Sequence, residues 1–482
     1  MGRGVRAAGI VGGGAAALGA YGVAYLPPEG WLAGAPVVSA LRTHPTGTVL
    51  SAALVVLGIM LIIGAWLALG RRVIRGGGHR DPRELVQTFW LWSLPLVLAP
   101  PLFSRDAWSY AAQGNLVRLG IDPYQAGPSA LPGQFLDGVD PLWADSPAPY
   151  GPLFLVLARA VAELTFFDVH LAVFGVRLLA LAGVWLIARY LPRLARACGV
   201  DPTRAIWLGL LNPLVIMHFV SGAHNDALMV GLVVMALALA FEGSVVFGAV
   251  VAAAAIAVKA PAVVALGGIG VVHAADLDGR LRRLRGCFAI SALGGTAFVV
   301  ITVATGLGYG WLQALDTPGT VRTWLSLPTG AGMLLGRLGE MLGYGEHTDG
   351  LITACRLIGG VIAAALVAAM LLRPGRISPV RTVALGLLAV VALGPAVHPW
   401  YLLWGPILLA AAHISGRERA ALAWGAVCFA VHSLVNGNVV PVDLAAVGTM
   451  AVVAAGVGVV AWHVATESRA GVRPVERSLA VP

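Results

Sequence analysis

The chain has 482 residues, of which 58% are hydrophobic and 11% charged, with a mean hydropathy of +0.84. A soluble domain of this length does not carry so little charge, and the recurring apolar runs suit helices of about 20 residues crossing roughly 30 Å of hydrocarbon. No ten-residue alternation of a β-barrel appears, so the composition points to an all-α polytopic membrane protein.

Apolar runs and their flanks predict spans near 5–26, 48–70, 85–102, 170–191, 203–221, 225–241, 244–258, 261–276, 287–306, 350–372, 380–396, 399–415, 419–435 and 443–465, about fourteen in all. The first carries an arginine pair before its apolar stretch, like a signal peptide. Its length and the lack of a small-x-small cleavage site make it an expected uncleaved helix. With the N-terminus in the cytoplasm, the clusters Arg71/Arg72/Arg75/Arg80/Arg83, Arg189/Arg193/Arg196/Arg204, Arg280/Arg282/Arg283/Arg285, Arg373/Arg376/Arg381, Arg417/Arg419 and Arg469/Arg473/Arg477 all fall inside. Counting Arg3 and Arg6, 23 of the 32 basic residues are then cytoplasmic. The net charge of +9 therefore reads as a topology signal, not as the footprint of a nucleic-acid partner. Both termini are expected inside a multi-pass plasma-membrane protein.

Tyr150 to Leu164, "YGPLFLVLARAVAEL", would make the span number odd and break the arginine pattern, so it is predicted as an amphipathic helix on the outer surface. Two outer loops are long, Ser104 to about Asp168 (104–168) and Gly306 to about Asp349 (306–349), while the inner loops are short and basic. Chemistry is therefore expected outside. No soluble domain, low-complexity tract or repeat interrupts the pattern, so 1–482 reads as one domain in which 1–84 supplies two N-terminal spans. Cys198, Cys287, Cys355 and Cys428 are scattered singly and read as small core residues, not as disulfides or metal ligands.

Polar residues that interrupt the hydrocarbon pattern are the candidates for chemistry. In "FSRDAWSYAAQGNLVRLGIDPYQ" (Phe103 to Gln125), Asp106 follows a span and is flanked by Arg105, Trp108 and Tyr110. Such a carboxylate can serve as a general base toward a hydroxyl, or form an interfacial pair with Arg105. "GIDPY" and "PAPYGPL" stiffen the rest of the loop and read as scaffold. "SGAHNDAL" places His224, Asn225 and Asp226 in a short outer turn, where they either bind sugar hydroxyls or form a polar hairpin. Lys259, the single lysine, sits at an outer span boundary, suited to phosphate or to snorkelling. Arg177 and Arg356 lie inside the outer ends of their spans, open to phosphate or to pairing with Asp168 or Asp349. Arg322 lies between Trp311 and Trp324 as a further anion site. "HPWYLLW" gives His398, Trp400 and Tyr401 for stacking on a sugar or packing at the interface. The Asp276-Leu277-Asp278 triplet is cytoplasmic and has no supporting domain, so it is rejected as a nucleotide-sugar site. P-loop, zincin and G-x-S-x-G motifs do not occur.

Together these segments resemble the GT-C superfamily of polytopic glycosyltransferases. "FSRDAWSYAAQGNLVRLGIDPY", "NPL" at Asn212, "GAHNDAL", "AVKAPA" and "HPWYLLW" are similar to the actinobacterial polyprenol-phosphomannose-dependent alpha-1,6-mannosyltransferases of lipomannan and lipoarabinomannan synthesis, over about Pro101 to His432. The resemblance implies that Asp106 deprotonates an acceptor 6-hydroxyl as it attacks C1 of polyprenyl-phosphate-mannose, with inversion, on the outer face. It implies a glycolipid mannoside acceptor, such as a phosphatidylinositol mannoside or mannan, and no metal or other cofactor. Lys259, Arg322, Arg177, Arg356 and Arg105 are the expected phosphate contacts. His224, Asn225, Asp226, His398, Trp400, Tyr401 and Tyr110 are the expected sugar contacts. Mannose rests on the resemblance alone, since transfer of arabinose would leave the same pattern. A transporter or lipid flippase is the rival class, although the polar residues gather at the outer rim and not at the midplane. The resemblance leaves the first 84 residues without a role.

Overall fold

The computed structural model describes residues 3–75, 81–279, 281–373 and 377–436. Helices dominate and no strand occurs among the described residues. A helix forms at each expected span up to residue 436, whereas the span at 443–465, the C-terminus, Arg80, Arg280 and Arg376 lie outside the described residues.

The N-terminal hairpin pairs α1 (Arg3–Val23) with α3 (Pro45–Arg75), joined through the short α2 (Pro36–Thr43). Gly12 and Gly58 let the two backbones touch, because a Cβ on Gly58 would stand 2.5 Å from the Gly12 carbonyl oxygen. Small residues at a crossing are how apolar helices associate in lipid, where no hydrophobic effect drives them together. Trp66 of α3 and Trp207 each donate an indole N–H to the other's carbonyl, at 2.8 and 3.0 Å, and the rings stack. The hairpin is thereby clamped to the rest of the bundle.

After α4 (Pro82–Leu98), the long segment 104–168 forms α5 (Asp106–Arg118), the short α6 (Gln134–Gly138) and α7 (Pro152–Leu164). The amphipathic reading of α7 holds locally: Phe154, Leu155, Ala158 and Ala162 are buried, while Arg159 and Glu163 pair on the exposed face. Its start docks on a turn far along the chain. Gly151 donates its N–H to Val258, and a Cβ on Gly151 would lie 2.2 Å from the Ala257 carbonyl oxygen, so "YGPL" needs its glycine for close approach.

The long α8 (Val169–Ala197) packs on α10 (Asp226–Phe241), and the chain between them is α9 (Pro202–Ala205) followed by two π-helical stretches. These stretches, Ile206–Leu210 and Val215–Ser221, flank Asn212-Pro213, where the span is bent by 64°. Proline cannot donate and clashes with the preceding turn. The Asn212 side chain compensates by accepting the Leu214 N–H and donating to Leu208. Then follow α11 (Val245–Ile256), α12 (Val264–His273), α13 (Arg282–Thr305), α14 (Trp311–Ala314), α15 (Leu327–Met341), α16 (Thr348–Leu372), α17 (Pro379–Leu393), α18 (Trp404–Leu409) and α19 (Gly416–Asn436).

Four of the described helices are long and apolar enough to cross a membrane, or five if the bent pair is one span. Several other expected spans form shorter helices, such as the 12 residues of α11 and the 6 of α18. The difference has a physical source: hydropathy counts apolar residues, but Asn212-Pro213 breaks the backbone inside the 203–221 run, and Pro399–Leu403 winds as a 3-10 stretch that takes up the start of the 399–415 run before α18. α16 leaves Leu357, Ile358 and Val361 exposed, as a helix facing hydrocarbon does. The chain is a membrane protein.

Gly151→Val should lower the melting temperature in detergent through steric overlap at Ala257, costing about 1–3 kcal/mol. Gly64→Ala, where nothing approaches, should leave it unchanged or raised. Equal melting temperatures for the two variants would refute the close approach.

Candidate active site

Asp106 opens α5 where the backbone turns sharply out of the preceding span. Phe103 adopts φ 69°, and the Ser104 hydroxyl accepts the Asp106 N–H at 3.0 Å. On the facing segment Ala223, immediately before His224, has φ 55°. Left-handed conformations at non-glycine residues are costly, and both here flank the same carboxylate.

The Asp106 side chain is 15% exposed, and its Oδ2 lies 3.3 Å from Nδ1 of the fully buried His224. The Tyr110 hydroxyl stands 3.4 Å from that oxygen and 3.4 Å from Oδ1 of Asn225, and its one proton serves one acceptor at a time. Burial pushes the Asp106 carboxyl up, but the His224 imidazole and the charge of Lys259 outweigh it, holding the carboxyl below its ordinary value. Burial, helped by Tyr150 and by Asp106, pushes the Tyr110 phenol well up, which keeps it a donor. His398 is pushed down to about 4 by burial, only partly offset by Asp106, and is neutral at pH 7. It stacks on Trp400 at 4.6 Å, and His224 stacks on the same indole at 3.8 Å.

Two cavities meet at this cluster. The larger, about 370 Å³, is lined by Val23 to Tyr25, Arg42, Pro101 to Asp106, Asp140, Trp143, His218, His398, Trp400 and Ser433, among others. The smaller, about 30 Å³, shares Asp106, Trp143, His398 and Trp400 and adds Ser109, Gln113, Tyr150, Thr317 and Tyr401. Ser109 Oγ and Gln113 Oε1 are buried without a protein partner. Asp106, Ser109 and Gln113 recur at helical spacing on one face of α5, a pattern the sequence carries but that burial alone makes informative. Arg42, in the short α2 that joins α1 to α3, was likewise outside the expected set.

The structure brings Asp106, Tyr110, His224, Asn225, His398 and Trp400 together, but it gives several expected ligand contacts other partners. Neither cavity is lined by His224, Asn225 or Asp226; His224 and Asn225 face the Asp106–Tyr110 pair from within the protein. Trp400 is 8% exposed with two imidazoles stacked on it, so rings of the protein occupy the surface expected to take a sugar. Tyr401 lines the smaller cavity and lies 4.5 Å from the Lys259 ammonium. Lys259 itself is buried and bonds both oxygens of Asp226, at 2.9 and 3.0 Å, while Trp404 donates to the same carboxylate at 2.7 Å.

The expected arginines are also engaged. Arg177 donates to the carbonyls of Val97, Ala99 and Ser221, not to Asp168, which caps α8. Arg356 donates to Thr329, Gly319 and Val321. Arg322 pairs with Asp349 at 2.6 Å and is 56% exposed. Arg105 makes no pair with Asp106; its guanidinium donates to the carbonyls of Asp137, Gly138 and Val139 and lies over the Tyr25 ring at 3.5 Å. Arg177, Arg356 and Arg105 have thus taken backbone carbonyls that the fold brings within reach, while Arg322 forms a solvent-exposed pair, and spacing along the chain reveals neither. Among the described residues no group of three or more His, Cys, Asp or Glu could hold a metal ion.

An apolar helical bundle that holds a carboxylate where two cavities meet has the form of a membrane-embedded active site. Residues 6–275 match the family described as "Alpha-(1->6)-mannopyranosyltransferase, N-terminal domain", and residues 328–463 match the "MptB C-terminal domain". The chain is 38% identical over 388 residues to a probable alpha-(1->6)-mannopyranosyltransferase of Mycolicibacterium smegmatis, covering 73% of this chain and 69% of that one. It is 38% identical over 383 residues to alpha-(1->6)-mannopyranosyltransferase A of Mycobacterium tuberculosis, covering 78% and 73%. With alpha-(1->6)-mannopyranosyltransferase B of Corynebacterium glutamicum it shares 31% over 391 residues, covering 75% and 65%. The chain belongs to the alpha-(1->6)-mannopyranosyltransferase family and is a glycosyltransferase.

Removing one partner of the Asp226–Lys259 pair leaves a buried charge. Asp226→Asn should therefore cost about 3–5 kcal/mol, read as a lower melting temperature in detergent, and Asp226→Asn with Lys259→Met should recover most of it. A double variant no more stable than Asp226→Asn would refute the pairing.

Proposed function

We propose that the protein transfers mannose from polyprenyl-phosphate-mannose to the 6-hydroxyl of a mannoside acceptor, a mannan or phosphatidylinositol mannoside, on the outer face of the plasma membrane. The product linkage is α-1,6, formed with inversion at C1, and the architecture is a GT-C-type bundle of about fourteen spans with both termini inside. The observation that carries this reading is the Asp106 carboxylate, ionised and partly exposed where the two cavities meet. The family membership and the one-sided arginine pattern support it.

In the proposed step the acceptor O6 forms its bond to C1 as the C1–O bond to phosphate breaks. The bonding electrons leave with phosphate, and the acceptor proton passes to Asp106. A carboxylate held below its ordinary pKa is a weak base, so it orients the hydroxyl and takes its proton late, once the C1–O6 bond is well formed. His224 and Tyr110 fix the other side of the carboxylate. Phosphate leaves well when its charge is neutralised, so the step asks for a cation and not for a general acid. The transfer is taken to need no metal, as the resemblance implies.

Asp106→Asn should keep the protein folded in membranes and reduce transfer of radiolabelled mannose at least a thousandfold, on the order of loss of a positioned base and its charge. Undiminished transfer would sink the role of Asp106. Because the folded carboxyl lies below its ordinary 3.8, the base form persists as pH falls from 7, and its loss comes only below that value. The wild-type profile of kcat/KM should then show no acid limb between about pH 5 and 7.

A further inference from the structure

If a lipid-linked sugar phosphate is the donor, the site needs a cation near Asp106, and the five expected from the sequence are all engaged elsewhere. Lys259 is held by Asp226, Arg322 by Asp349, and Arg177, Arg356 and Arg105 by backbone carbonyls. Two guanidinium groups line the 370 Å³ cavity that Asp106 also lines, Arg105 and Arg42. They differ in which edge is left. Arg105 has its Nε and Nη2 engaged by Gly138, Asp137 and Val139. Arg42 donates only through Nη1, to the carbonyls of Tyr21 at 3.2 Å and Ala24 at 2.7 Å, and has no carboxylate partner among the described residues. Its Nε–Nη2 edge, one of the two that grip a phosphate or carboxylate with parallel hydrogen bonds, is unclaimed.

We propose that Arg42, carried by the N-terminal hairpin, receives the phosphate of the lipid-linked donor in the cavity it shares with Asp106. The two carbonyls lie at the C-terminal end of α1, where unpaired carbonyls and the helix dipole favour a cation, so they hold the guanidinium in place while leaving the gripping edge to a ligand. The half-buried setting removes water that would otherwise compete for that edge. Asp106 and Asp140 are the carboxylates lining the same cavity; Asp140 Oδ1 caps the Leu142 N–H, and Asp106 is bounded by His224 and Tyr110. The 370 Å³ volume is in the range of a small-molecule site. This gives the first 84 residues a part in the reaction: they bring the donor's counter-charge to the cavity that Asp106 also lines.

The proposal rests on the donor assigned above, and the test separates the two. Full-length protein in detergent is titrated with a polyprenyl phosphate of defined length, with the matching unphosphorylated polyprenol and with inorganic phosphate. Transfer from polyprenyl-phosphate-mannose is followed in parallel. Arg42→Gln should weaken polyprenyl phosphate binding about tenfold or more, the scale of losing a charge-assisted bidentate contact, and raise the donor KM while the acceptor KM holds. Polyprenol binding should not change. Arg42→Lys, which keeps the charge and can still reach a carbonyl, should fall between the wild type and Arg42→Gln. If Arg42→Gln does not fold, the Arg42→Lys protein still decides: a loss for polyprenyl phosphate without a loss for polyprenol supports the role. Equal losses for both lipids, or a lower melting temperature with unchanged donor KM, would reduce Arg42 to a helix cap and overturn it. Inorganic phosphate displacing the lipid at similar concentration would reassign the site to free phosphate and also overturn it. A wild-type protein that neither binds polyprenyl phosphate nor uses the mannosyl donor would instead refute the donor assignment, whereas normal transfer by Arg42→Gln would refute only Arg42.

Discussion

Lys259 enters the apolar interior against Asp226, and neither charge would be tolerated there alone, since an unpaired buried ion costs several kcal/mol. Satisfying both demands a fixed meeting of three segments: the start of α10, which carries Asp226, the turn before α12, which carries Lys259, and α18, whose Trp404 donates to the same carboxylate. The Lys259 turn also accepts the Gly151 N–H at Val258 and so sets where α7 begins. With Asp226 pinned, the two residues before it are placed, and His224 reaches Asp106 while Asn225 reaches Tyr110. The polar cluster is thus anchored from below by a pair that lines neither cavity.

The same constraint disposes of the other interior cations. Arg177 ties the end of α4 to the turn at Ser221, and Arg356 ties α16 to the segment 319–321, each through backbone carbonyls. What remains is asymmetric. Among the described residues Asp106 is bordered by an imidazole and a phenol but by no guanidinium. The left-handed residues Phe103 and Ala223 are both buried, one on each of the two segments that carry Asp106 and His224.

The larger cavity draws its wall from the end of α1, from α2, from the segment before α5, from the His398 turn and from α19. Residues 23 and 433 meet across it, so no contiguous piece of the chain builds the site. The Trp66–Trp207 clamp is one of the contacts that makes this possible, because it fixes the N-terminal hairpin against the bent π-helical segment. The hairpin whose role the sequence left open is part of the cavity's wall.

The amino-acid sequence by itself determined the membrane class, the helical content and the place of Asp106 in a polar segment that follows an apolar run, because hydrophobicity and its interruption are local properties that a run of residues displays directly. It also marked "GAHNDAL" and "HPWYLLW" as polar and aromatic interruptions of the apolar pattern, and the fold then brought both to that carboxylate. It could not assign partners. Whether Lys259 meets a phosphate or Asp226, whether Arg105 pairs with its neighbour or with carbonyls some thirty residues on, and whether Arg42 sees the cavity are decided by distances between segments. Nor could hydropathy tell a continuous span from one broken at Asn212-Pro213. The tertiary structure decided these points because a charge in a low-dielectric interior binds whichever oxygen the fold brings within reach, and that reach depends on how helices pack.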